Sequence, residues 1–148
     1  MADTANIVVA IELQDYRNTI VRVSLVSDGS GLTNYVLVDP TSAASGQVNL
    51  SVSQAGQTFY PGTNLKITAL DYDVQGMGVR LTWKATTNQD IAALGNAPQQ
   101  FEWETFGGLR VPAALAGATG QILLSTVGAA ANATLFVLLY LRNNVPQS

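Results

Sequence analysis

The segment Leu65–Thr86, with the sequence LKITALDYDVQGMGVRLTWKAT, decides the fold class of this chain. In its second half, apolar residues occupy alternate positions, which is typical of a half-buried β-strand because successive side chains leave opposite faces of a sheet. The residues of that apolar face are Met77, Val79, Leu81, Trp83 and Ala85. The turn residues Gln75–Gly78 predict that the two halves fold back on each other as a β-hairpin.

The first half of the segment changes the face that carries its apolar residues. One apolar set is Leu65, Ile67 and Ala69, and the next is Leu70, Tyr72 and Val74. This change of face predicts a β-bulge or a strand that turns a corner between two sheets.

The rest of the chain alternates between short apolar runs and turns that contain glycine, proline or asparagine. The predicted strands are Asn6–Leu13, Thr19–Val26, Asn34–Val38, Val48–Val52, Gln99–Phe106, Gly120–Val127 and Thr134–Leu141. Asp90–Leu94 fits either one helical turn or a bridge across the end of a sandwich. A loop is expected at 54–64, and either a loop or a single turn at 112–118. The first two strands and the last two strands are each expected to form a hairpin. The last strand is apolar on both faces, which predicts a position in the middle of a sheet.

About nine strands and no long helix predict an all-β protein. The expected fold is a single antiparallel β-sandwich, jelly-roll-like or a related Greek key. One domain is expected to cover residues 1–148, with residues 1–6 as an N-terminal arm and 143–148 as a C-terminal tail.

The composition excludes several classes of function. The chain contains no cysteine and no histidine, which removes disulfides, thiolate nucleophiles, and the commonest general base and metal ligand. Charged residues are only 11% of the chain, against about 25% in a typical soluble domain. Such a surface is typical of an assembly subunit or of an extracellular β-domain with a neutral polar coat. A net charge of −3, with the basic residues scattered along the chain, argues against nucleic-acid binding.

No membrane or export signal is apparent. The first residues carry neither a basic region nor a long apolar run, so no signal peptide is predicted. The most apolar segment, Leu135–Leu141, is far shorter than the roughly 20 residues of a membrane helix. The expected protein is soluble and made in the cytosol, and no membrane partner is predicted.

Two pairs of carboxylates carry the main chemical alternatives. On a strand, Glu102 and Glu104 project from one face roughly 7 Å apart, a spacing that would suit a glycosidase. Asp71 and Asp73 have the same spacing and could be ligands of a calcium ion, although no Asp-x-Asp-x-Asp-Gly loop is present. For both pairs a solvated strand face is the favoured interpretation. No catalytic residue, cofactor or metal ligand is therefore predicted.

Aromatic residues offer a third alternative, a platform on which sugars stack. Its members would be Trp83, Trp103, Phe101 and Phe106, but aromatic residues at strand spacing more often belong to the core, which is the favoured interpretation. The loop of Phe59, Tyr60 and Pro61 is a better contact point, because aromatic residues in loops often anchor interfaces. Glycines at 107–108 and 117–120 form no phosphate-binding loop, since no Lys-Ser/Thr follows them.

The segment Trp83–Leu141 resembles a group of small virion proteins of tailed bacteriophages that decorate or cement the capsid. The motifs that carry the resemblance are WKATTNQDI at 83–91, FGGL at 106–109 and GATGQILLST at 117–126, followed by the terminal apolar strand. The resemblance implies a structural protein of the capsid exterior, made in the host bacterial cytoplasm, whose partner is the major capsid protein of the same phage. Binding across seams of the assembled shell, and not to free subunits, would stabilise that shell by mass action.

The resemblance also implies a homo-oligomer, with a trimer fitting threefold lattice points and a dimer fitting twofold points. The trimer is favoured. The residues expected to contact the capsid are Phe59, Tyr60, Pro61, Arg110, Val111, Pro112 and Leu115. The alternative function is a phage tail or fibre adhesion module that binds host glycans, for which Trp103, Tyr60 or Tyr35 should be exposed. A glycan-cleaving enzyme that uses Glu102 and Glu104 is the third class.

Overall fold

The computed structural model describes residues 2–14, 18–41, 48–49, 52–54, 57–59, 62–95, 98–112 and 114–143. Strands dominate these residues and form two packed sheets of six and five strands, with a separate two-stranded ribbon. The predicted all-β sandwich is therefore confirmed.

The secondary-structure elements follow one another in this order. An α-helical turn, α1 (Asp3–Asn6), is followed by β1 (Val8–Gln14), β2 (Asn18–Asp28), β3 (Tyr35–Asp39), β4 (Val48–Asn49), β5 (Val52–Gln54), β6 (Gln57–Phe59), β7 (Leu65–Gln75), β8 (Gly78–Trp83), β9 (Gln89–Leu94), β10 (Pro98–Glu102), β11 (Leu109–Arg110), β12 (Ile122–Val127) and β13 (Ala131–Asn143). Short 3-10 helices occupy Gly62–Asn64 and Glu104–Phe106. Nine of the described strands have five residues or more, in agreement with the predicted number.

The strand order is that of a jelly roll. The first sheet runs β1-β2-β13-β7-β10, with β11 also paired to β7, and the second runs β4-β3-β12-β8-β9. The long strands after β1 pair in nested fashion: β2 with β13, β3 with β12, β7 with β10, and β8 with β9. This nesting results when one long antiparallel hairpin wraps around a core. Consecutive long strands from β2 onward then lie in opposite sheets, except β8 and β9, which form the tip of the hairpin.

Two of the predicted hairpins are wrong. Strands β7 and β8 meet at the predicted turn, where Gly76 has a φ of +80°, but they belong to different sheets. Strands β12 and β13 are separated in the same way. Period-two alternation shows which face of a strand is buried, and in a sandwich that face is the same whether the next strand pairs beside it or packs across the core. The predicted β1–β2 hairpin is confirmed.

The predicted bulge lies in β7. Tyr140 of β13 is opposite Ala69, while the next residue, Leu141, is opposite Ile67, so Thr68 is an extra residue in β7. The bulge turns both apolar sets toward the same core, and all but Ala69 are buried. The last strand, β13, lies between β2 and β7, which confirms its predicted place in mid-sheet.

Several boundaries differ from the predictions, among them the following three. Gln89–Leu94 is a strand that pairs with β8, neither a helical turn nor a bridge. Strand β10 ends at Glu102 instead of Phe106, because the chain turns into a 3-10 helix that Gly107 terminates in the left-handed conformation. The predicted loop at 54–64 contains the short strand β6, which pairs with β5.

The start of the described chain is attached to the first sheet by a buried carboxylate. Asp3 is completely buried and accepts hydrogen bonds from Ser27 Oγ at 2.6 Å, from the Asp28 amide at 2.9 Å and from the Gly31 amide at 2.8 Å. Its own amide donates to Ser30 Oγ at 3.0 Å. These bonds hold α1 against the turn that follows β2.

Candidate interaction site

A groove at one end of the sandwich contains all of the predicted contact residues of the segment 110–118. Its lining residues are Thr63, Asn64, Arg110, Val111, Pro112, Leu115 and Ala118. We call it the end groove. The structure thus brings together two segments that lie almost 50 residues apart in the sequence, and the first of them directly follows the predicted aromatic loop.

The wall formed by residues 109–118 is held by its strand and by turns. Strand β11 pairs with β7, so that Arg110 is opposite Lys66. Val111 and Leu115 are half-buried and pack against the core. The Leu115 amide donates to the Pro112 carbonyl at 3.1 Å. Val111 and Leu115 therefore form the half-buried floor of the groove, while Arg110 is exposed at its rim.

Close backbone packing joins the two walls. Gly120 has a φ of +87°, and a β-carbon on it would lie 2.7 Å from the carbonyl carbon of Gly62 and 3.0 Å from Pro40 Cγ. The Gly62 amide donates to the Pro40 carbonyl at 2.7 Å. A glycine is required at 120 because only its hydrogen fits this approach.

The predicted aromatic loop is only partly described. Phe59 ends strand β6, and its side chain, Tyr60 and Pro61 lie outside the described residues. The described residues therefore locate four of the seven predicted contact residues, Arg110, Val111, Pro112 and Leu115, and they place all four in the end groove.

A row of basic residues beside the groove was missed by the sequence analysis. Arg142, Lys66 and Arg110 are direct cross-strand neighbours on β13, β7 and β11. Arg142 forms an ion pair with Glu104 at 3.7 Å, and Lys66 Nζ donates to the Gly107 carbonyl at 2.9 Å. Within the described residues, Arg110 has no such partner. The three residues are far apart in the sequence, so only the strand register could have revealed the row.

The paired carboxylates have separate partners. Glu102 accepts hydrogen bonds from the amide and the hydroxyl of Thr105, at 3.2 and 3.1 Å. Glu104 lies in the 3-10 helix after the strand and pairs with Arg142. The expected geometry of two carboxylates on one strand is therefore wrong, because the strand ends between them.

Asp71 and Asp73 lie on the outer face of β7. Asp71 Oδ2 accepts a hydrogen bond from the Tyr140 hydroxyl at 3.1 Å, and Asp73 accepts one from Gln75 Nε2 at 3.1 Å. Burial raises the pKa of the Tyr140 phenol, and the hydrogen bond to Asp71 and its charge raise it further. Among the described residues, no cluster of three or more acidic side chains could hold a metal ion.

The four aromatic residues do not form one platform. Trp83 is buried in the core, as predicted. Phe101 and Trp103 stack with ring centroids 5.6 Å apart and pack against the core from its edge. Phe106 is 85% exposed in the turn before Gly107, so the core interpretation is wrong for this residue. Of the residues named for the adhesion alternative, Trp103 and Tyr35 are half-buried.

Within the part of the chain that the structure describes, no helix has the length and apolar character needed to cross a membrane. The comparisons with protein-family models, curated proteins and solved structures gave no significant match.

Proposed function

We propose that this protein is a structural component of a tailed-phage virion, which decorates the capsid exterior and binds across seams between major capsid protein subunits. The observation that carries the proposal is the end groove, in which sequence-distant segments place the half-buried Val111 and Leu115 among exposed polar side chains, Arg110 included. Interface hot spots typically combine apolar residues that lose their water on binding with polar residues around them.

The sequence resemblance supports the same proposal. The groove wall from Arg110 to Ala118 lies within the resembling segment, between the motif at 106–109 and the start of the motif at 117–126. In the proposed mechanism, each copy binds the assembled lattice and not the free subunits, which shifts the assembly equilibrium toward the shell. Many copies on one shell add avidity to modest single contacts. The protein would fold in the host cytoplasm and then join the virion.

Co-sedimentation with empty capsids tests this proposal. The wild-type protein should pellet with shells near one copy per capsid subunit. Leu115→Asp, on the groove floor, and Tyr60→Ala, in the predicted aromatic loop, should each lower the bound fraction severalfold. The matched control is Val127→Asp, since Val127 is exposed at the opposite end of β12. If the wild-type protein ignores shells, the proposed function is wrong; if both variants bind like the wild type, the groove assignment is wrong.

A glycan-binding adhesion module is the second candidate, and the exposure of Phe106 favours it. An exposed ring beside the polar side chains of Glu102 and Thr105 is the kind of surface on which sugars stack. Titration calorimetry with host surface polysaccharide should give measurable heat for the wild type and none for Phe106→Ala. An equal heat for both proteins would refute a role for Phe106.

A further inference from the structure

The outer face of the first sheet is apolar along its central strand. Antiparallel sheets with one solvated face normally expose polar residues there, yet β13 directs Phe136, Leu138 and Tyr140 outward in succession. Val8 and Val26 extend the apolar surface toward β1 and β2, with exposed fractions of 52% and 60%. Phe136 is 40% exposed. We call this surface the β13 face.

Opposite charges flank the β13 face in one cross-strand row. Leu138 has Arg22 of β2 directly on one side and Asp71 of β7 directly on the other. Arg22 is exposed and also pairs with Glu12 at 2.8 Å. Asp71 uses Oδ2 for Tyr140, whereas its buried Oδ1 has no hydrogen-bond partner within the described residues. Within this row, Leu138 therefore lies between a cation, which is itself paired with Glu12, and a carboxylate.

We propose that the β13 face binds the same face of a second copy of this chain, around a two-fold axis that runs along β13. Rotation about that axis exchanges the two sides of the sheet, so Arg22 of each copy comes opposite Asp71 of the other, twice in the dimer. Leu138 then meets Leu138 on the axis. A two-fold axis across the strands would instead place Arg22 over Arg22 and Asp71 over Asp71, which is electrostatically unfavourable. The charges thus select one of the two face-to-face arrangements.

The dimensions of the face suit a stable dimer. Strands β1, β2, β13, β7 and β10 have 7, 11, 13, 11 and 5 residues. At about 3.3 Å per residue and about 4.8 Å between strands, the sheet that they form covers roughly 740 Å². The area of this sheet per copy is close to the about 800 Å² that each partner buries in a standard interface. Sheets that stack face to face lie about 10 Å apart, a distance that an arginine and an aspartate side chain span together.

This inference does not depend on capsid or glycan binding. A trimer and a dimer are the two closed states expected from the sequence. The proposed contact favours the dimer, because a two-fold interface requires a self-complementary patch. Light scattering on the free protein tests it, so its outcome is separate from that of the co-sedimentation experiment.

The first experiment measures the mass of the purified full chain over a range of concentrations. The wild type should have twice the mass of one chain at micromolar concentration. Phe136→Asp and the more exposed Val26→Asp should each shift it to the monomer, with unchanged circular dichroism as evidence of folding. Phe106→Asp, an exposed aromatic residue outside the β13 face, should remain dimeric. A wild-type monomer or trimer, or a dimer that both β13-face variants leave intact, would overturn the proposal.

The second experiment tests the orientation of the two copies by charge exchange. Arg22→Asp and Asp71→Arg should each weaken dimerisation about tenfold or more, since each places like charges opposite one another twice. The double variant restores opposite charges and should recover most of the affinity. A two-fold axis across the strands predicts no such recovery, because every facing pair would still carry like charges. The proposed axis would be overturned if the single variants had no effect on dimerisation, or if the double variant dimerised as weakly as the single variants.

Discussion

Gly120 and Gly62 approach so closely that a β-carbon on Gly120 would lie 2.7 Å from the carbonyl carbon of Gly62. Gly120→Ala should therefore destabilise the protein by about 2 kcal/mol or more, through backbone strain and the displacement of the groove walls. Gly107 is the matched control, since it has the same φ of +87° and a β-carbon on it would meet no atom within 4 Å. In urea denaturation, Gly107→Ala should lower the free energy of unfolding by only roughly 1–2 kcal/mol, the cost of placing alanine in the left-handed conformation. Equal losses in the two variants would mean that the contact is not tight.

The buried carboxylate of Asp3 is the second target. Asp3→Ala removes three hydrogen bonds and leaves the hydroxyl of Ser27 and the amides of Asp28 and Gly31 without their acceptor. The free energy of unfolding should fall by about 3 kcal/mol or more. Thr4→Ala, at an exposed position of the same helical turn, should change it by less than about 0.5 kcal/mol. A small effect at Asp3 would show that α1 contributes little to stability.

Tyr140 should make stability depend on alkaline pH. Its folded-state pKa lies above the usual value, first because of burial and then because of Asp71. A raised pKa means that the folded protein favours the neutral phenol. The contribution of Tyr140 to the free energy of unfolding is therefore complete below about pH 10 and is lost as the pH rises through the folded-state pKa. Wild-type stability, measured by urea unfolding, should therefore decline more steeply above about pH 10 than that of Tyr140→Phe. Tyr35, whose pKa burial also raises, is present in both proteins and cancels in the comparison.

The two tryptophans should differ in fluorescence. In Trp103→Phe, emission comes from the buried Trp83 and should be blue-shifted and poorly quenched by acrylamide. In Trp83→Phe, the half-buried Trp103 on Phe101 should emit at longer wavelength and be quenched more strongly. Trp83→Ala should cost about 3–5 kcal/mol as a core truncation. Indistinguishable spectra would contradict the assignment of Trp83 to the core and Trp103 to its edge.

Alternation along the chain was enough to predict burial but not pairing. Met77, Val79, Leu81 and Trp83 are all buried, as their period-two spacing requires. The same pattern could not show that β8 packs across the core from β7, since either arrangement buries the same face. The bulge at Thr68 was predictable because it leaves a local trace, a change of the apolar face within one strand.

The candidate site was predictable only in part for a related reason. Pro112 and Leu115 stood out because they occur in an alanine-rich, turn-forming segment. Their meeting with Thr63 depends on the contact between Gly62 and Gly120, which leaves no local pattern. The role of Asp3 was likewise hidden, because its acceptor function depends on amides about 25 residues away.

The position of β13 has a consequence for how the protein folds during synthesis. This strand joins β2 to β7 at the centre of the first sheet, yet it is translated after every other described strand. Until Asn143 has left the ribosome, β2 and β7 each lack a neighbour along one whole edge, and unpaired edges of this kind recruit strands from other chains. Folding dominated by such sequence-distant pairing is slow, on the order of milliseconds to seconds. High expression rates should therefore favour aggregation of the nascent chain, and a lower expression rate or a lower temperature should favour the native sandwich.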